Sequence, residues 1–263
     1  DMLSAGSGFE HTGGAFIEAV SVCHVGVTGD EFTSACLLET SWVSKQLLNS
    51  NNCCIIVSSA PLEDANAGKI IAQLAENPRV RGIRQILNHE PSWPRNEQLG
   101  DLLCNPKWQD GYAELKKHSF SFDFQLNPHQ FKDVVRLVEK HPEIPVIIGH
   151  LGSPTLDDLT ENNAVYWDGL KAFSDLEKTF IKISMLSYID ENWEHNSLVQ
   201  ETVIRVIDLF GIDRCFFASN FPVEKYFGWN ADSLYKAFVN LIDHQYSQKD
   251  QQKLFAENAK KAY

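Results

Sequence analysis

The stretch Pro145-Val146-Ile147-Ile148-Gly149-His150-Leu151-Gly152-Ser153-Pro154 decides the fold class. A β-branched apolar run stops at a histidine and turns at once through glycine, serine and proline. Such a run is the composition of a strand buried on both faces, as in a parallel sheet covered by helices. His150 then stands where strand gives way to loop. In α/β folds this carboxyl edge of the parallel strands is where chemistry is placed.

Working outward, the same pattern recurs along the chain. Further strands are expected at Ala15 to Val22 (with Glu18 inside), Cys53 to Ala60, Val80 to Leu87, Phe120 to Asn127, Thr179 to Leu186 and Cys215 to Val223. Helices fill the intervals. One runs from Cys36 to Leu48 with Leu38, Trp42 and Leu47 near one face. Another follows Asp64 as cap, with Ala67, Ile70, Ile71 and Leu74 at helical spacing. Asn127-Pro128 reads as an N-cap with proline just inside, before the stripe Phe131, Val134, Val135, Val138. Gly211 closes the helix striped by Val199, Val203, Val206, Ile207 and Phe210. Ser247 opens the last helix with Asp250 three residues on. A Pro/Trp/Asn-rich loop ending near Gly100 is the longest irregular stretch, a candidate to cover a ligand.

Strict strand–helix alternation with no composition break makes residues 1–263 one domain with a parallel sheet. Two architectures remain. An open doubly wound sheet lacks its signature, since no G-x-G-x-x-G follows the first strand. Side-chain parity decides. In Phe122-Asp123-Phe124-Gln125-Leu126-Asn127 and Ile181-Lys182-Ile183-Ser184-Met185 every second residue is polar. If the apolar parity faces the helices, Lys182 faces the other side. A helix-covered sheet would bury that lysine at a cost of several kcal/mol, whereas a barrel interior opens into its mouth. The expectation is a (β/α)8 TIM barrel. Seven strands are legible and an eighth is needed.

The net charge of −12, with no basic stripe, argues against nucleic acid or an anionic membrane as main partner. Six cysteines without a C-x-x-C pair suit reduced, buried thiols such as the adjacent Cys53 and Cys54, and a cytoplasmic setting. No apolar stretch reaches the ~20 residues of a membrane span.

Collected strand by strand, the interior or edge polar residues are Glu18, Arg84, Gln125 with Asn127, His150, Lys182 with Ser184, and Asn220. Each has a plainer reading. A lone strand-end histidine is often a satisfied structural side chain, but polar companions on most other strands weigh against that here. Arg84 could merely bridge neighbouring strands. Lys182 needs a carboxylate or a ligand, and Glu18 or Asp123 could serve it. Asp123 lies deeper and suits such a pair. Asn220 precedes Phe221-Pro222 and could simply form a turn. His24, His89 and His195 follow strands and could reach the mouth; His11, His118, His141 and His244 read as surface. No H-x-H, H-E-x-x-H or G-x-S-x-G occurs, so neither a self-contained metal motif nor a serine elbow is present.

In these segments the chain resembles a known family. Val80-Arg81-Gly82-Ile83-Arg84-Gln85, the segment FDFQLNPHQ from Phe122, Ile148-Gly149-His150-Leu151-Gly152-Ser153-Pro154, Lys182-Ile183-Ser184, Phe217-Ala218-Ser219-Asn220-Phe221-Pro222-Val223 and Glu257-Asn258-Ala259 with Tyr263 look like successive motifs of the amidohydrolase-related TIM-barrel hydrolases. The branch is the one that includes 2-pyrone-4,6-dicarboxylate lactonase and L-fuconolactonase-like sugar lactonases. The family's first strand, with its H-x-H pair, has no counterpart. The strand with Glu18 resembles the family's second, which implies an N-terminally truncated chain. Asn220 stands where most members carry an aspartate, and an amide cannot act as general base at neutral pH.

The resemblance implies a hydrolase opening a lactone or related cyclic ester of a carboxylated small molecule. His150, Asn220 and Lys182 are the expected catalytic residues. Arg84, Gln125, Glu18, Ser184 and Asn127 are expected to bind substrate. No metal ligand is assigned, and zinc or manganese is expected only with an H-x-H strand ahead of Asp1. The alternatives are a metal-dependent decarboxylase of the same superfamily and a non-catalytic ligand-binding barrel. Oligomeric state stays open.

Overall fold

The computed structural model describes residues 9–23, 27–49, 53–90, 100–161 and 163–263. Seven strands are present: β1 (Gly13–Ile17), β2 (Cys53–Ser59), β3 (Val80–Ile86), β4 (Ser121–Gln125), β5 (Val146–Ile148), β6 (Thr179–Ile183) and β7 (Cys215–Phe217). They form a sheet in the order β1-β2-β3-β4-β5-β6-β7. The ladders β1–β2, β2–β3, β3–β4 and β6–β7 are parallel. Sequential parallel strands alternating with helices are the plan of a TIM barrel, here with seven strands among the described residues.

Two compact units divide the chain. The first comprises residues 12–126, 132–146 and Tyr263; the second comprises residues up to 11, 127–131 and 147–262.

The first unit holds β1 to β4 with helices α1 (Gly29–Gln46), α2 (Ala67–Ala75) and α3 (Pro106–Glu114). Its core is aromatic. Trp108 stacks on Tyr112 at 5.7 Å, and both meet Phe122 edge-on. The register Arg84↔Asp123 and Ile86↔Gln125 sets the polar side chains of β3 and β4 in neighbouring rows. β1 is shorter than expected. Its ladder ends at Ile17↔Val57, the Ala19 N–H donates to Glu39 Oε1 instead of a strand, and Val20–Cys23 is already helical. Glu18 therefore follows β1 and does not lie inside it.

The buried face of α1 is Phe32, Cys36, Thr40 and Val43, while Leu38 and Trp42 point to solvent. The expected Leu38/Trp42/Leu47 face is thus corrected. The packing stripe is set by what meets β2, where Thr40 Oγ1 lies 2.8 Å from Ser58 Oγ. Cys53 is exposed and Cys54 half-buried, against the expected buried pair. Asp64 accepts from Asn66 N–H in a turn ahead of α2, whose N-cap is Asn66.

The second unit holds β6 and β7 with helices α4 (Asn163–Ser174), α5 (Ser197–Phe210) and α6 (Ala231–Ile242). Phe131, Tyr166 and Phe173 form one aromatic cluster, and Phe217, Phe238 and Phe255 another. Gly152 and Gly169 both face Phe131, where an added Cβ would lie 2.4 Å from the ring. Asn127 caps Pro128–Gln130, its N–H donating to Gln130 Oε1 at 2.9 Å, and Gly211 ends α5 at φ 79°. β6 stops at Ile183 and β7 at Phe217, both short of their expected ends, with left-handed Met185 two residues beyond the first and Asn220 three beyond the second. The expected covering loop falls on residues 91–99, and these, like His24, lie outside the described residues.

Candidate active site

The second unit gathers the residues expected to do chemistry at the carboxyl ends of its strands. His150 and Leu151 follow β5, Ser184 and Met185 follow β6, and Asn220 lies three residues beyond β7. Left-handed backbone concentrates there: φ is 56° at His150, 55° at Leu151, 53° at Ser153, 59° at Met185 and 51° at Asn220. Among the described residues the only other non-glycine with positive φ is Ser119, which closes a helical turn. Histidine and asparagine tolerate this region better than most residues, and such strain clusters at functional sites.

His150 Nδ1 lies 2.8 Å from the buried Ser184 Oγ. This pairing holds the plane of the imidazole, with the hydroxyl able to accept from a protonated Nδ1 or donate to a bare one. Lys182 is 7% exposed, as expected for an inward-facing lysine on β6. Asn220 Nδ2 donates to Glu224 Oε1 at 3.2 Å. Glu224 is 1% exposed and also accepts from Ser187 Oγ at 2.6 Å, while Trp229 Nε1 donates to Ser187 at 3.0 Å. Sequence reasoning missed Glu224, Ser187 and Trp229. The one signal for Glu224 was its place four residues after Asn220, in a segment that reads as loop.

The first unit gathers a second set. Arg84 Nε donates to Glu18 Oε1 at 2.8 Å, Nη2 to the Glu18 carbonyl at 2.6 Å, and Nη1 to Gln125 Oε1 at 2.9 Å. The Glu18 side chain is wholly buried. Expected to serve Lys182 or a ligand, Glu18 has Arg84 as its partner. Asp123, likewise considered for Lys182, accepts from Tyr263 OH through both oxygens at 2.9 and 3.0 Å. Burial, reinforced by Asp123, holds the Tyr263 phenol well above its usual range. Three of the five Arg84 N–H groups are committed within the protein, so this set is organised as an internal network. Asn127, expected to bind substrate, is placed as a helix cap. His195 is largely exposed.

Thiol chemistry is disfavoured at the two buried cysteines. Burial pushes Cys36 up to about 12 and Cys215 further still, so neither carries a thiolate near neutral pH. Among the described residues no cluster of three or more His, Cys, Asp or Glu could hold a metal ion. His150 Nε2 and Asn220 Oδ1 are two neutral donors, fewer than the three protein ligands usual at a zinc site.

The family model described as Amidohydrolase matches residues 33–263. The chain belongs to the amidohydrolase family. This amidohydrolase is 29% identical over 211 residues to the uncharacterised protein y4mH of Sinorhizobium fredii, covering 79% of the chain and 69% of y4mH. It is 23% identical over 179 residues to L-fucono-1,5-lactonase of Burkholderia ambifaria, covering 67% of the chain and 58% of the lactonase. A crystal structure of an amidohydrolase from Burkholderia multivorans with bound zinc superposes with a TM-score of 0.74 at 15% identity, covering 96% of the chain and 98% of that structure. The expected superfamily and barrel-type fold hold. Among the described residues no helix is long and apolar enough to cross a membrane.

Proposed function

We propose that this amidohydrolase opens a lactone or related cyclic ester of a carboxylated small molecule by attack of water. The observation that carries the reading is the row of His150, Ser184 and Asn220 at the ends of β5, β6 and β7, with His150 and Asn220 on left-handed backbone. The similarity to L-fucono-1,5-lactonase supports it.

The chemistry follows from the side chains. Ser184 holds Nδ1 of His150, and Nε2 is the nitrogen assigned to take a proton from water as its oxygen adds to the ring carbonyl. The Lys182 ammonium offsets the charge of the developing oxyanion, or holds the substrate carboxylate, where a preformed charge in a dry site is most effective. Collapse of the tetrahedral species breaks the ring C–O bond, and the imidazolium returns its proton to the leaving alkoxide. The product is the open hydroxy acid. Arg84, Glu18 and Gln125 are assigned to the internal network described above, which shapes β1, β3 and β4.

A panel of sugar-acid and dicarboxylate lactones followed by proton release tests this. Turnover of at least one lactone is expected, with kcat falling about 10²–10⁴-fold in His150→Gln. A wild-type protein that opens none, or a His150→Gln variant as active as wild type, would overturn it.

A further inference from the structure

A chain of hydrogen bonds behind Asn220 has a defined direction. An indole N–H can only donate, so Trp229 Nε1 makes Ser187 Oγ the acceptor and sends the Ser187 hydroxyl hydrogen to Glu224 Oε2. Glu224 Oε1 takes the remaining donor, the Asn220 amide N–H. The backbone ties the same two residues, with Glu224 N–H donating to the Asn220 carbonyl at 3.4 Å. Trp229 is itself held by its ring contact with Trp193 at 5.5 Å and by its N–H to the Glu224 carbonyl. A carboxylate at 224 therefore dictates which end of the Asn220 amide turns to it, the Nδ2 end. Nδ2 is spent on Glu224, and Oδ1 accepts from no described residue.

We infer that Glu224 is a positioning residue: it locks the Asn220 amide with Oδ1 as the open acceptor, which takes one hydrogen of the attacking water. The inference rests on the hydrolase reading above. Its physical content is a division of labour. A carboxylate at 220 would have to serve as acceptor and anion together. Here the acceptor is neutral at 220, and the carboxylate sits one turn behind it, buried and fully engaged by two donors. A neutral acceptor orients water without competing with His150 for the proton.

The test uses the full chain and three variants. In ¹⁵N-labelled protein the Asn220 side-chain NH2 pair is identified by its loss in Asn220→Asp. It is expected to shift in Glu224→Gln, because a glutamine amide no longer imposes one orientation. On a lactone that the wild type opens, Glu224→Gln is expected to lower kcat by about 10-fold or more with KM changed less than about 3-fold. Asn220→Asp alone brings two carboxylates together, so its pH–rate profile should gain an ionisation above the usual carboxylate range. Asn220→Asp/Glu224→Gln restores one donor facing one carboxylate and should remove that displaced ionisation. Thermal unfolding checks that each variant is folded; if Glu224→Gln is not, the double variant carries the test. An unmoved Asn220 NH2 pair, wild-type kcat in Glu224→Gln, or a loss confined to KM would overturn the inference. If the wild type opens no lactone, the hydrolase reading falls and the NH2 resonances alone decide the placement by Glu224.

Discussion

Arg84 holds Glu18 at two points, the carboxylate through Nε at 2.8 Å and the backbone carbonyl through Nη2 at 2.6 Å. This double grip fixes the chain just beyond β1 against β3, across the intervening β2. Removing one partner of a buried ion pair leaves the other charge uncompensated, which costs more than the intact pair contributes. Arg84→Met is therefore expected to lose about 3–5 kcal/mol in urea denaturation. Glu18→Gln in the same background should return part of it. A loss below 1 kcal/mol would show that the pair is not structural and would restore Arg84 as a candidate ligand group.

His150 depends on Ser184 for its orientation. Ser184→Ala removes the Nδ1 partner without adding bulk, so kcat should drop about 10-fold while the unfolding midpoint changes little. Steady-state kinetics beside thermal unfolding separates the two effects. A stability loss with unchanged kcat would make Ser184 a packing residue.

Glu39 carries a pH signature. Burial raises it to about 7, with the negative charge of Glu18 adding to the effect and the Ala19 N–H and Arg84 opposing it. The folded protein thus holds this proton more tightly than the unfolded chain does. Its contribution is fully present below the unfolded value near 4.5 and is lost as pH rises through about 7. Glu39→Gln keeps an acceptor for Ala19 and removes the titration. The variant should gain stability relative to wild type between pH 5 and 8, read as the difference in thermal midpoint. A constant difference across that range would exclude this linkage.

Gly111 is required by contact, not by conformation. A Cβ there would lie 2.1 Å from the Leu62 carbonyl oxygen, and the three nearest atoms are all Leu62 backbone. Gly111→Ala is expected to destabilise by about 1–3 kcal/mol in chemical denaturation, outweighing the usual helix gain of alanine. A neutral or stabilised variant would mean that α3 can slide on the Leu62 loop.

Much of this protein was legible in its residues because strand and helix periods are local properties. The apolar run before His150, the alternation around Lys182 and Asp123, and the glycine and proline punctuation located all seven strands. Burial followed wherever periodicity was strong, as in α2 and α5. It failed for α1, where Leu38 and Trp42 fit a helical stripe but Phe32, Cys36, Thr40 and Val43 are the buried residues, Thr40 meeting Ser58 of β2. A stripe tells which residues share a face, not which face a sheet will cover.

Partners were the part that sequence could not assign. Glu18, Asp123 and Lys182 are all ionisable and buried, and either carboxylate could have served Lys182. The β3–β4 register and the reach of Arg84 and Tyr263 gave Glu18 and Asp123 their partners. Asn220 was visible as a departure from an aspartate, but Glu224 behind it was not. Their contact depends on the turn after β7 and on Ser187 and Trp229, 33 positions before and 9 after Asn220. Periodicity and polar placement follow from a few adjacent residues, and the sequence determined those. Hydrogen-bond direction and charge pairing are set by atoms brought together from distant positions, so only the tertiary structure decided them.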